Sequence, residues 1–241
     1  MPDEGDAMSQ QFQDARMYVP VGQRTSDVRA QFISRTYNHL MASIVGFTLI
    51  QYWLFATGLA DSIAAFMMQG SWLIVLGAFM LVSWGATRVA ATSESMASQY
   101  LALAGFVVAE AIIFVPLLVM ANQIAPGMIT SAALVTLLGF GGLTAVAFTT
   151  RKDFSFLGGL LRWAFIVAIV AIVGALVFGF ELGTWFSVAM VGFAGAAILY
   201  DTSNVLHHYP EDRYVAAALQ LFASVALMFW YVLRIFMSSR D

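Results

Sequence analysis

Long apolar runs dominate this chain, and short polar stretches separate them. Seven runs reach the roughly 20 residues that a helix needs to cross a bilayer. They lie at about residues 38–60, 72–88, 98–121, 127–149, 157–180, 184–206 and 214–237. The breaks between them are short, so runs adjacent in sequence are predicted to be neighbours in space, with no soluble domain interposed. The pattern predicts an all-α integral membrane protein, a seven-helix bundle over residues 37–241. Residues 1–36 precede it as a polar tail with Asp3, Glu4 and Asp6. That tail lacks the basic start and short apolar core of a signal peptide. A helix over residues 25–36, capped at Ser26 or Asp27, is expected where the tail nears the membrane.

Composition strengthens the membrane reading. The chain is 61% hydrophobic and only 10% charged, against about 25% charged in soluble domains. Mean hydropathy is +0.82. The net charge is −3 and the 11 basic residues are scattered, so no nucleic-acid footprint is present. The absence of cysteine excludes disulfides, thiolate metal sites and thiol nucleophiles.

The placement of charge predicts orientation. Arg16, Arg24, Arg29 and Arg35 precede the first run, Arg88 ends the second, Arg151 and Lys152 follow the fourth, and Arg213 follows the sixth. The breaks after runs one, three and five hold no Lys or Arg; their acids are Asp61 and Glu181. By the positive-inside rule the N-terminus is cytoplasmic and the C-terminus, with Arg234 and Arg240, lies on the opposite side.

Polar residues inside the runs are the candidate chemistry. Asp201 sits near the inner end of the sixth run, in GFAGAAILYDTSNVLHH, followed by Thr202, Ser203, Asn204, His207 and His208. An intramembrane acid is a functional candidate; the alternative is a headgroup-level acid that stabilises a helix end. Arg88 can reach an acid at that depth or snorkel to lipid phosphate. Glu110 falls near the midplane of the third run, less than two turns before Pro116. It suits a cation or proton path, or a neutral acid hydrogen-bonded to a neighbouring helix. Gln220 and Ser224 lie one turn apart on one face of the seventh run, with Gln220 at about the depth of Asp201, and both are placed for an interhelical hydrogen bond. Adjacent His207 and His208 are poorly spaced for a metal and read as a solvated helix end, with pH sensing as the alternative. Asp153 can cap the start of the fifth run. Glycines 139, 141, 142, 158, 159, 174, 192 and 195 permit close helix approach. No cofactor motif is present. Neither a nucleophile with its base nor a paired-aspartate site is visible, so an enzyme is not expected.

The segments AFTTRKDFSFLGGLL (residues 147–161), GAAILYDTSNVLHH (195–208) and RIFMSSRD (234–241) resemble the Bax inhibitor family of multipass membrane proteins, nearest its bacterial YccA-like branch. The resemblance covers all seven runs. It implies six helices around a central seventh, with Asp153, Thr202, Asn204 and His207 inside the family motifs. It also implies a pH-sensitive calcium or cation leak in a bacterial inner membrane, with no cofactor and with calcium as the permeant ion. In such proteins an acid on helix 6 pairs with an acid on helix 7, and an arginine on helix 2 engages both. Asp201 matches the first acid, and a transient calcium contact there follows from the match. Arg88 matches the arginine. The second acid falls at Ser224, which carries no charge, so the acid pair is broken here; Glu110 is the one substitute. The YccA-like branch implies an alternative role, a stress-related membrane protein that binds and modulates a membrane-anchored AAA protease through its N-terminal tail.

Overall fold

The computed structural model describes residues 19–70 and 72–239. The tail acids Asp3, Glu4 and Asp6, together with Arg16, Arg240 and Asp241, lie outside the described residues. Among those described, eight α-helices follow a short 3-10 turn at Val21–Gln23: α1 (Ser26–Ala56), α2 (Leu59–Gln69), α3 (Trp72–Thr92), α4 (Met96–Ile124), α5 (Met128–Thr150), α6 (Leu157–Phe178), α7 (Gly183–His207) and α8 (Tyr214–Ser238). Seven are long and apolar enough to span a membrane, all except α2.

The expected spans are recovered with two differences. Helix α1 begins at Ser26, so the sequence boundary at residue 36 falls inside it. Thr25 is its N-cap residue and makes no side-chain capping bond, so neither Ser26 nor Asp27 is the cap. Helix α1 also stops at Ala56, because Gly58 turns the chain at φ +73°, where a side chain is strained. The chain then forms α2, which the hydrophobic runs did not announce. Its buried residues Ala60, Ala64 and Met67 recur at helical spacing and pack on α4 and α1, while Phe66 and Met68 stay exposed.

Helix α8 is the centre of the bundle and touches α7, α5, α1, α4 and α3. In its most apolar stretch 72% of residues are buried, against 6% for α3 and α6. Helix α4 is nearly as enclosed, at 67%. The bundle therefore has two inner helices, where the sequence pointed to one. Helix α6 packs principally on α7 and faces outward elsewhere. Close approach occurs at only some of the glycines. A Cβ at Gly158 would stand 3.0 Å from the Tyr200 ring, and one at Gly195 3.3 Å from Leu143, whereas Gly141, Gly142, Gly159 and Gly192 face open space.

At the end that carries the basic loops, the chain ahead of α1 is seated on the bundle. The Val21 N–H donates to the Tyr209 carbonyl at 2.8 Å. Pro20 and Pro210 form an antiparallel bridge. Val21 is fully buried, and the Phe32 ring stacks on Tyr209.

Candidate functional site

Helices α7 and α8 form an antiparallel pair joined by residues 208–213. Across it, the Ser224 hydroxyl donates to Asp201 Oδ2 at 2.5 Å, with both residues buried. Successive residues on a helix point about 100° apart, so the run Asp-Thr-Ser at 201–203 addresses three different neighbours. Asp201 meets α8. Thr202, fully buried, meets the Tyr37 phenol of α1, which also faces Thr144 of α5. These three hydroxyl oxygens stand together, yet none has a partner in hydrogen-bond geometry. Ser203 meets the loop between α5 and α6, where its hydroxyl accepts the Phe154 N–H at 2.9 Å and donates to Asp153 at 3.4 Å. The Asn204 carbonyl then accepts the N–H groups of His208 and Tyr209, closing the helix. His207 Nδ1 donates to the Ser203 carbonyl at 3.0 Å.

Asp153 does not cap α6, whose N-cap residue is Phe156 with no side-chain bond. It closes the turn before that helix by accepting the Ser155 N–H at 2.9 Å, and it binds His208 Nε2 at 3.0 Å. The Ser155 N–H is the main cause holding the Asp153 carboxyl below the usual carboxylate range; the Ser155 hydroxyl and His208 add to it. His208 is thus a tie between the α5–α6 loop and the end of α7, a role its spacing beside His207 did not reveal. A lowered carboxyl pKa stabilises the fold above its unfolded value of about 3.9 and ceases to do so as pH falls through the folded value. Asp153→Ala is therefore expected to lower the melting temperature in detergent at neutral pH. Both groups are about half exposed, so the loss should stay under about 1 kcal/mol. The deficit should shrink as pH falls below the ordinary aspartate value of about 3.9 and through the lowered folded value. A deficit that stays the same over that fall would refute this account.

Arg88 is not brought to Asp201. It is exposed on α3, with its guanidinium over the Trp84 ring at 5.6 Å, and no ion pair joins it to either buried acid among the described residues. Asp201 instead accepts the hydroxyl of Ser224. Gln220 is half-buried one turn from Ser224 and makes no hydrogen bond to Asp201. Glu110 is buried on α4. One turn on either side of it, Phe106 meets Phe79 and Phe222, and Phe114 meets Phe47, Phe229 and Trp230. No hydrogen bond joins it to Asp201 among the described residues. Beside it, the Gln51 amide donates to the Ala111 carbonyl at 2.7 Å, tying α1 to α4. Helix α4 continues through Pro116, which has no N–H to return to the Ile112 carbonyl. Tyr37, Thr144 and Gln51 were missed in the sequence; their one signal was a polar group within an otherwise apolar run. No group of three metal-ligating side chains is assembled among the described residues.

The family model described as "Inhibitor of apoptosis-promoting Bax1" matches residues 29–241, from the first turns of α1 to the end of the chain. The chain belongs to the Bax inhibitor family. This Bax inhibitor family protein is 34% identical over 108 residues to the modulator of FtsH protease YccA of Escherichia coli K12, covering 44% of the chain and 49% of the relative. It is 34% identical over 116 residues to Bax inhibitor 1 of Schizosaccharomyces pombe, covering 45% and 41%. The chain thus spans about half the length of these curated relatives. A longer match, 28% identical over 227 residues, covers 86% of the chain and 89% of an uncharacterized protein of Campylobacter jejuni.

Proposed function

We propose that this Bax inhibitor family protein is a regulatory membrane protein that binds and modulates a membrane-anchored AAA protease. The observation that carries this reading is the state of its central acid. Asp201 is sealed within the bundle against a neutral serine, and the arginine that a charge-balanced gate needs faces outward over Trp84. A closed bundle of this kind fits a binding partner better than a conduit. The relative named a modulator of FtsH protease supports the same reading. The protein would lie in a bacterial inner membrane with its basic loops and N-terminal segment on the cytoplasmic side. The test is reconstitution with a membrane-anchored AAA protease and a membrane-protein substrate. Degradation is expected to slow by about fivefold or more when the chain is present, the lower range of a coupling between sites. Unchanged degradation would overturn the proposal.

Two buried intramembrane carboxyl groups, Asp201 and Glu110, favour a second reading, a pH-sensitive calcium or cation leak. Calcium flux into proteoliposomes across about pH 6 to 8, the range in which histidine and perturbed carboxyls titrate, tests it. Flux at the level of empty liposomes would exclude conduction; flux whose pH dependence is lost in Asp201→Asn would place Asp201 in the gate.

A further inference from the structure

We infer that residues 20–24 are a displaceable plug that closes the basic-loop end of the bundle and controls the access of water and ions to Asp201. The inference goes beyond the protease reading and does not depend on it. Val205 lies one turn after Asp201 on α7, about 6 Å nearer the helix end. On the loop side of Asp201, Val205, Leu219 and Val215 are buried in one cluster with Phe32 and Val21. Four of these belong to spanning helices. Val21 belongs to the segment ahead of α1 and is fully buried within it. The seal beneath Asp201 is therefore completed by a piece of chain that is not part of any spanning helix.

The way the segment is held explains why it can leave. Its backbone is joined to the bundle by the Val21 N–H bond to Tyr209 and the Pro20–Pro210 bridge. Arg24 Nε stands 3.4 Å from Glu211 Oε2, with both side chains partly exposed and the nitrogen outside hydrogen-bond alignment. Val21 adds its buried side chain, and Gly22 adds a contact of shape. Gly22 lies against the end of α7 so closely that a Cβ there would be 2.9 Å from the His207 carbonyl oxygen and 3.1 Å from its Cα. Both neighbours are backbone and cannot step aside. These few contacts must offset the ordering of a short extended segment. Helix α1 starts afresh at Ser26 with no side-chain cap on Thr25, so the segment can swing away without unwinding α1.

The chain has no cysteine, so Ser224→Cys places a single thiol beside Asp201. Its labelling by a charged, membrane-impermeant thiol reagent in proteoliposomes reports water access. In that background, Gly22→Leu is expected to raise the labelling rate about tenfold, as when a minor open form grows from about 1% to 10%. Arg24→Glu is expected to raise it less, and adding Glu211→Arg should return it to the starting rate, which general loosening of the bundle would not allow. Unchanged labelling in both Gly22→Leu and Arg24→Glu overturns the plug. A rise in Arg24→Glu that Glu211→Arg fails to reverse overturns it too.

Discussion

Phe114→Ala is expected to destabilise the bundle by about 3 kcal/mol, the low end of the range for truncating a buried phenylalanine. The ring is 2% exposed and sits where three helices meet. Phe47 of α1 and Trp230 of α8 approach it edge-on with centroids at 5.2 and 4.9 Å, and Phe229 of α8 stacks at 5.6 Å. Such pairs contribute about 0.5–1.5 kcal/mol each beyond their buried area. The low end applies because lipid tails are as apolar as the core. Removing the ring forfeits packing, while little transfer energy from water is at stake. Phe114→Leu, which refills much of the volume, should lose about 1 kcal/mol. Thermal unfolding in detergent checks the order: an alanine variant that melts with the parent protein would show that this contact does not hold the bundle. Glu110 lies one turn before Phe114, so the same substitution should loosen the surroundings of that buried acid.

Asp201→Ala is expected to cost about 2 kcal/mol, because it leaves the buried Ser224 hydroxyl without its acceptor and opens a void between α7 and α8. Asp201→Asn keeps an acceptor oxygen for Ser224 and should stay within about 1 kcal/mol of the parent. A double-mutant cycle with Ser224→Ala isolates the bond itself. Its coupling should fall near 1 kcal/mol, between the mean of about 0.6 and the maximum of about 1.7 measured for interhelical hydrogen bonds in membranes. Zero coupling would mean that Ser224 and Asp201 do not bond in the membrane. The asparagine variant then separates structure from function. If it folds like the parent and keeps whatever slowing of the protease the parent is found to give, the carboxylate is structural. If it folds and loses that effect, the charge or proton of Asp201 takes part.

The membrane class and the existence of all seven spans were legible in the chain, because a bilayer demands a run of apolar residues about 20 long and little else has that signature. Counting residues from the loop between the last two spans put Gln220 at the depth of Asp201, whereas the bundle joins Asp201 to Ser224, one turn further along α8. Counting came within one turn because an antiparallel pair with a short connection has a register set mainly by the loop. The central position of α8 was legible only through the family likeness.

Other features depended on distance in three dimensions. The match to a charged partner on the second span put Arg88 beside Asp201; side-chain direction put it over Trp84, since a solvent- or headgroup-facing guanidinium avoids the cost of burial. Whether Asp153 caps a helix or a turn was decided by Ser203 and His208, which lie about 50 residues away in sequence. Helix α2 hid in an interval too short to span, and formed because α4 offered its small residues a surface. The seating of residues 20–24 carried no hydrophobic pattern at all. One valine and one glycine in a polar segment gained their meaning from the backbone of His207 and the carbonyl of Tyr209. Hydrophobic length is a local property and can be read along a chain, whereas the partner of a buried polar group is chosen by which helices face each other, and that is settled only when the bundle packs.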